Sequence, residues 1–103
     1  MTMQIDKMTG LSKRILLSVR EQVEQFPQVR NAYLFGSRAR GSYTAQSDID
    51  LAIDAPDMTA QQFAQLWSNI DALPIAFALD CVWLQSLKDA SLKSQIMRDA
   101  HAL

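Results

Sequence analysis

The stretch Gly36-Ser37-Arg38-Ala39-Arg40-Gly41, followed by Ser47-Asp48-Ile49-Asp50-Leu51, decides how this chain is read. Asp48 and Asp50 stand two positions apart in an alternating segment, with Ile49, Leu51 and Ile53 on the other parity. On a strand such residues share one face, with α-carbons ~6.5 Å apart at a rise of ~3.3 Å per residue. Two carboxylates on one face disfavour each other's ionisation. A hard divalent cation between them removes the conflict, and Mg²⁺ commonly takes one or two carboxylates together with substrate phosphates. A solvated strand face carrying incidental acids is the alternative that these two residues alone leave open.

Upstream, residues 29–35 are rich in strand formers and run directly into Gly36-Ser37. Glycine lets the backbone turn sharply and approach a ligand. A serine hydroxyl and the N–H groups of a following helical turn can then hold a phosphate, and Arg38 and Arg40 supply permanent positive charge suited to its oxygens. A Gly-Ser after a strand is also an ordinary turn. The chain has neither a G-x-x-x-x-G-K-[ST] loop nor a G-x-G-x-x-G fingerprint, which excludes P-loop and dinucleotide-binding readings.

Downstream, Asp54 shares the parity of Asp50 but lies ~13 Å beyond it, too far to join the pair. Asp80 is the better third acid. It sits within a third strand at 77–84, where an unpaired carboxylate among apolar neighbours is expensive. Beside the second strand it would face Asp48 and Asp50; pairing with an arginine is the alternative.

Around these segments the periodicity predicts three helices. Leu11, Ile15, Val19, Val23 and Phe26 fall at helical spacing before Pro27. Thr59 and Gln62 form a capping box for a helix with Phe63, Leu66, Trp67 and Ile70 on its face. Ser86 with Asp89 caps a last helix carrying Leu92, Ile96 and Ala100. The order is α-β-β-α-β-α. Two consecutive strands imply an antiparallel pair, so we expect an α+β fold with a small mixed sheet of three to five strands covered by helices.

Composition sets the outer limits. At 103 residues, a single domain spanning 1–103 is expected. Lys+Arg of 10 against Asp+Glu of 11 argues against a nucleic-acid binder, which shows a basic excess. Cys81 is the single cysteine, so no intramolecular disulfide or multi-cysteine metal site is available. It reads as a small buried hydrophobe. No apolar run approaches a membrane span, and residues 1–7 lack the apolar core of a signal peptide. A reducing, cytoplasmic setting is the expectation. His101 reads as a surface residue, and Trp67 and Trp83 as core, with a partner interface as the alternative.

The conjunction is more specific than its parts. A strand, Gly36-Ser37, ten intervening residues and Asp48-x-Asp50 on a strand resemble the polymerase-β-like nucleotidyltransferase superfamily. Within it, Gly-Ser-Arg-Ala-Arg-Gly followed by Ser-Asp-Ile-Asp-Leu resembles the minimal nucleotidyltransferase (MNT) proteins, over nearly the whole chain. The resemblance implies that Gly36 and Ser37 hold nucleotide phosphates, with Arg38 and Arg40 in the same segment. It implies that Asp48, Asp50 and Asp80 bind metal, with two Mg²⁺ ions and ATP as substrate. The implied reaction is transfer of AMP to an acceptor hydroxyl.

Larger relatives carry a further domain that presents the acceptor. The chain stops about one helix beyond Asp80, so the acceptor is expected to come from another molecule. MNT proteins are typically paired with a helical HEPT-type toxin, and some act as antitoxins by attaching AMP to a tyrosine. The alternatives are a non-catalytic antitoxin that covers its HEPT partner, and a small-molecule adenylyltransferase of the aminoglycoside type. An exposed apolar patch drawn from Trp67, Trp83, Leu84, Leu92, Ile96 and Met97 is expected, covered by a partner or by a second copy in a homo-oligomer.

Overall fold

The structure, a computed structural model, describes residues 9–103. Residues 1–8, which include the segment read for its lack of a signal-peptide core, lie outside the described residues. The elements run α1 (Lys13–Glu24), β1 (Asn31–Phe35), α2 (Ser37–Arg40), β2 (Ile49–Asp54), α3 (Ala60–Asp71) and β3 (Leu79–Trp83). A 3₁₀ turn (Leu84–Ser86), α4 (Ala90–Asp99) and β4 (His101–Ala102) complete the chain. The architecture is α+β, as the sequence predicts.

The four strands lie in the order β3-β2-β1-β4. β1 is antiparallel to β2, while β2 and β3 are parallel, which leaves room for α3 as the crossover between them. The sheet is therefore mixed. The alternation along each strand assigns its two faces. Leu34, Leu51, Ile53 and Cys81 join Val19 and Val23 of α1 and Leu66 and Ile70 of α3 in the principal core. The opposite face carries Ala52, Tyr33, Phe35 and Val82, which pack with Leu84 and with Ile96 of α4.

Local chemistry sets the ends of the helices. Ser12 caps α1 by accepting from Ile15 N at 3.2 Å. Thr59 and Gln62 close both arms of the capping box on α3, at 3.1 and 2.9 Å. Phe63 of that helix stacks on Trp83 with ring centroids 5.6 Å apart, and the Trp83 indole donates to Ala55 O at 3.0 Å.

Three details depart from the sequence reading. Ser86 does not take part in capping the last helix: its hydroxyl donates to Trp83 O, and Asp89 alone is the N-cap, accepting from Ser91 N and Leu92 N. The residues after α4 form a short edge strand rather than a tail. Ala100 turns extended, and His101–Ala102 pair with Tyr33 and Leu34 of β1, whose outer edge would otherwise stay unpaired. The expected apolar patch is smaller than its six candidates. Leu84 and Ile96 are buried, Trp67 and Trp83 are half-buried, and Leu92 and Met97 are exposed.

Candidate functional site

β1 ends at Phe35, whose register partner on β2 is Asp50. The next residue, Gly36, takes φ 77°, a left-handed conformation that suits glycine, and α2 begins immediately after it. A Cβ on Gly36 would collide with Asp50 Oδ2. The turn thus lies directly against the carboxylate, and only an absent side chain permits that approach.

Asp50 is the second residue of β2 and Asp80 the second of β3, and they are register partners on parallel strands. They share the face of Phe35 and Ala52, and Asp48 has the same parity just before β2 begins. The carboxyl of Asp50 is held above its ordinary range, first by burial, then by the charges of Asp80 and Asp48, with Arg40 acting in the opposite sense. Asp48, Asp80 and Arg40 are therefore each within electrostatic reach of Asp50. Asp80 is exposed, and its Oδ1 accepts from Cys81 N at 3.0 Å. The expense of a buried carboxylate, argued from its apolar neighbours, does not arise. No arginine pairs with it among the ion pairs of the described residues. Asp54, at the far end of β2, accepts from Gln85 Nε2 at 2.6 Å and Asn31 Nδ2 at 3.2 Å.

The two arginines of the turn are placed differently. Arg40 is half-exposed and pairs with Asp99 of α4 at 3.5 Å. Arg38, expected among the phosphate ligands, is 1% exposed. Its Nη1 donates to Thr9 O at 2.8 Å, its Nε to Ser47 O at 3.1 Å, and its Nη2 to Thr44 O at 3.5 Å. The guanidinium also lies over the rings of Tyr43 and Phe77, at 5.2 and 4.7 Å from their centroids. The sequence displays its charge but not the carbonyls that converge on it.

His101, read as a surface residue, is exposed, yet its Nε2 bonds to Ala39 O at 2.9 Å and ties β4 to α2. Cys81 is buried, and burial followed by the Asp80 charge pushes its thiol up to about 12. That makes it an inert core residue.

Among the described residues, no three His, Cys, Asp or Glu side chains are gathered tightly enough to enclose a metal ion. The donor set nevertheless suits Mg²⁺, which takes hard oxygen ligands and binds through one or two carboxylates while phosphates and waters complete its shell. Asp50 beside Asp80, with Asp48 within electrostatic reach just before β2, is such an open set. A hollow of about 280 Å³ between α1 and β4, lined by Lys13, Leu16, Leu17, Leu34 and His101 among others, includes none of these acids. The three acids lie outside that hollow.

The Gly-Ser turn thus leaves β1 against the Asp50 carboxylate of β2, whose register partner on β3 is Asp80. The family described as "Polymerase beta, Nucleotidyltransferase" matches residues 18–103, and the chain belongs to it. The chain is 27% identical over 89 residues to a Methanocaldococcus jannaschii protein, MJ1379, named as a candidate protein adenylyltransferase. That match covers 84% of this chain and 89% of the relative. Two solved structures share the fold. A toxin–antitoxin complex with AMP-PNP superposes with a TM-score of 0.65 at 23% identity, covering 86% of this chain and 69% of that one. A Shewanella oneidensis complex of a tri-AMPylated HEPN toxin with its MNT antitoxin gives 0.58 at 22% identity, covering 85% and 70%.

Among the described residues, no helix is long and apolar enough to cross a membrane.

Proposed function

We propose that this nucleotidyltransferase moves AMP from ATP to a hydroxyl, a tyrosine of a helical HEPT-type protein, and acts as its antitoxin. The observation that carries the reading is the contact of Gly36 with Asp50 beside Asp80, because it brings a phosphate-holding turn and a carboxylate pair to one point. The candidate adenylyltransferase name of the M. jannaschii relative and the AMPylated toxin bound to the S. oneidensis antitoxin support the choice of group and acceptor. AMP-PNP in the other complex supports an adenine nucleoside triphosphate as donor.

In this reading the Gly36 backbone and the Ser37 hydroxyl and amide orient the triphosphate at the end of β1. Arg40, half-exposed and close to Asp50, faces the phosphates; Arg38 is left out because its donors are engaged elsewhere. Asp48, Asp50 and Asp80 would hold Mg²⁺, which when bound supplies charge neutralisation at the phosphates and at the attacking and leaving oxygens. Asp80, exposed on the outer strand, accepts the proton of the acceptor hydroxyl or orients it. The hydroxyl oxygen attacks the α phosphorus, a new oxygen–phosphorus bond forms, and the bond to the β-phosphate oxygen breaks. Pyrophosphate leaves and the acceptor keeps AMP.

The test is incubation with the product of the adjacent gene, ATP and Mg²⁺, followed by intact-mass measurement of both proteins. Addition of one or more AMP units to the partner is expected. A partner that is bound tightly yet keeps its mass would instead support a purely stoichiometric antitoxin.

A further inference from the structure

We propose that Arg38 is a positioning residue that fixes the loop bearing Asp48 and the approach to β3 relative to the Gly36-Ser37 turn. It would set the spacing between the phosphate-holding turn and the acids without touching nucleotide. This deepens the nucleotidyl-transfer reading and rests on it.

Arg38 lies one residue beyond Ser37, and three separate segments meet on its side chain. Thr9, ahead of α1, offers its carbonyl to Nη1. Thr44 and Ser47, in the loop before β2, offer theirs to Nη2 and Nε. Phe77, three residues before Asp80, lays its ring against the guanidinium, as does a second aromatic partner, Tyr43. Ser47 immediately precedes Asp48, so the bond to its carbonyl acts on the peptide that begins the acidic strand. Downstream of that contact, Ile49 N donates to Ala78 O at 2.8 Å, locking the starts of β2 and β3 together.

A buried guanidinium cannot shed its charge. It persists only where its donors are satisfied, and here carbonyl oxygens and ring faces do this, with no carboxylate among its hydrogen-bond partners within the described residues. With a fraction of 1% of its surface accessible, no face of the group is left for a phosphate. A planar fork with donors on three nitrogens can reach three carbonyls in different segments at once. A lysine ammonium on a flexible stem cannot reproduce that span. The loop has ties of its own: Ser42 N donates to Ser37 O at 3.0 Å and holds its start at α2, while Thr44 N to Ser47 Oγ at 2.8 Å and Gln46 N to Thr44 Oγ1 at 3.3 Å shape its later part without reaching α2.

The experiment compares the whole chain with Arg38→Lys, Phe77→Leu and Arg40→Met. Amide hydrogen exchange is followed across residues 42–48, and ATP affinity is measured by calorimetry with and without Mg²⁺. In Arg38→Lys, exchange across 42–48 is expected to accelerate about tenfold or more, the scale of losing a charge-assisted hydrogen bond. Metal-free ATP affinity should stay within about threefold, because no phosphate contact is removed. The gain in affinity that Mg²⁺ confers on the native chain should be lost as Asp48 drifts. Arg40→Met should do the reverse, weakening metal-free ATP binding with unchanged exchange.

Unchanged exchange in Arg38→Lys overturns the proposal, as does a retained Mg²⁺ gain with accelerated exchange. If Arg38→Lys does not fold, Phe77→Leu decides, since it removes one wall of the cage and keeps the cation. It should accelerate exchange in the same segment, and unchanged exchange there overturns the proposal equally. A native chain that binds no ATP with Mg²⁺ would defeat the nucleotidyl-transfer reading and with it the proposed role towards the acids. Exchange would still report whether Arg38 holds the loop, so the two failures are distinct.

Discussion

Asp50 and Asp80 are register partners on the parallel strands β2 and β3, so two carboxylates stand one strand spacing apart on the same sheet face. That spacing is ~4.8 Å between backbones, and it is fixed by ladder hydrogen bonds rather than by side-chain flexibility. A fold that only needed a polar rim would place these charges apart. Their juxtaposition, with Asp48 adding a third charge, costs stability, and Arg40 offsets part of it.

The stability consequence has a definite sign. The Asp50 carboxyl is held above its ordinary range in the fold, so the folded state keeps its proton more firmly than the unfolded state. Stability is greatest below the unfolded value and declines as pH rises through the folded one. We therefore expect the paired change Asp48→Asn with Asp50→Asn to leave the melting temperature at neutral pH unchanged or raised. The same protein should lose Mg²⁺-dependent ATP affinity by about tenfold or more, since two of the proposed oxygen ligands lose their charge. Calorimetry and a thermal melt on one preparation check both, and undiminished affinity would remove these acids from the site.

Asp80 gives a different pattern. It is exposed and has no cationic partner among the ion pairs of the described residues, and its charge repels that of Asp50, so Asp80→Asn should leave the melting temperature unchanged or slightly raised. A group acting on the attacking hydroxyl contributes mainly in the transition state. AMP transfer should fall by about a hundredfold or more, the usual scale for a positioned acid or base, while ATP affinity stays within about threefold. Near-native transfer would leave two acids at the site instead of three.

Gly36→Ala tests the approach of turn and carboxylate. The backbone at φ 77° disfavours any side chain, and the added methyl would meet Asp50 Oδ2. A loss of about 1–3 kcal/mol in stability is expected from the backbone conformation alone. ATP binding should fall further than this destabilisation explains, because Asp50 must move. A variant with native melting temperature and native affinity would contradict the described contact.

Cys81 offers a pH test away from nucleotide chemistry. Burial and Asp80 raise its thiol to about 12 from 9.0. Below pH 9 the thiol is neutral in both states. As pH rises through the window from 9 to 12 the unfolded thiol ionises first, so stability should decline there. At about pH 8 the native thiol should react with an alkylating reagent far more slowly than the denatured one. Comparable rates in the two states would contradict its burial.

Much of this was legible in the chain because its local rules agree. The parity of Ile49, Leu51 and Ile53 places them in the core and sends Asp50 to the other face, as observed, while Asp48 falls just before the strand begins. Thr59 with Gln62 starts α3 where the capping box predicts, and two successive strands yield the antiparallel β1–β2 pair. What was not legible depends on long-range partners. Arg38 displays a charge in the sequence, and its burial comes from Thr9 and Phe77, 29 and 39 positions away in the sequence. β4 is two residues long and has no pattern of its own; it exists because β1 has an edge to pair. Asp80 sits among apolar neighbours in sequence, yet its strand is the outer one, so its side chain meets solvent.

The central claim is that the turn and the acids transfer the α-phosphoryl group of ATP, with its nucleoside, to an acceptor hydroxyl. The most direct measurement uses ATP labelled at its α phosphorus and, separately, at its γ phosphorus, with Mg²⁺ and the protein product of the adjacent gene. The account predicts that the α label becomes bound to that protein while the γ label leaves in pyrophosphate, and that Asp48→Asn with Asp50→Asn abolishes both events. Retention of the γ label on the partner, or α labelling that persists in the doubly substituted protein, would contradict it.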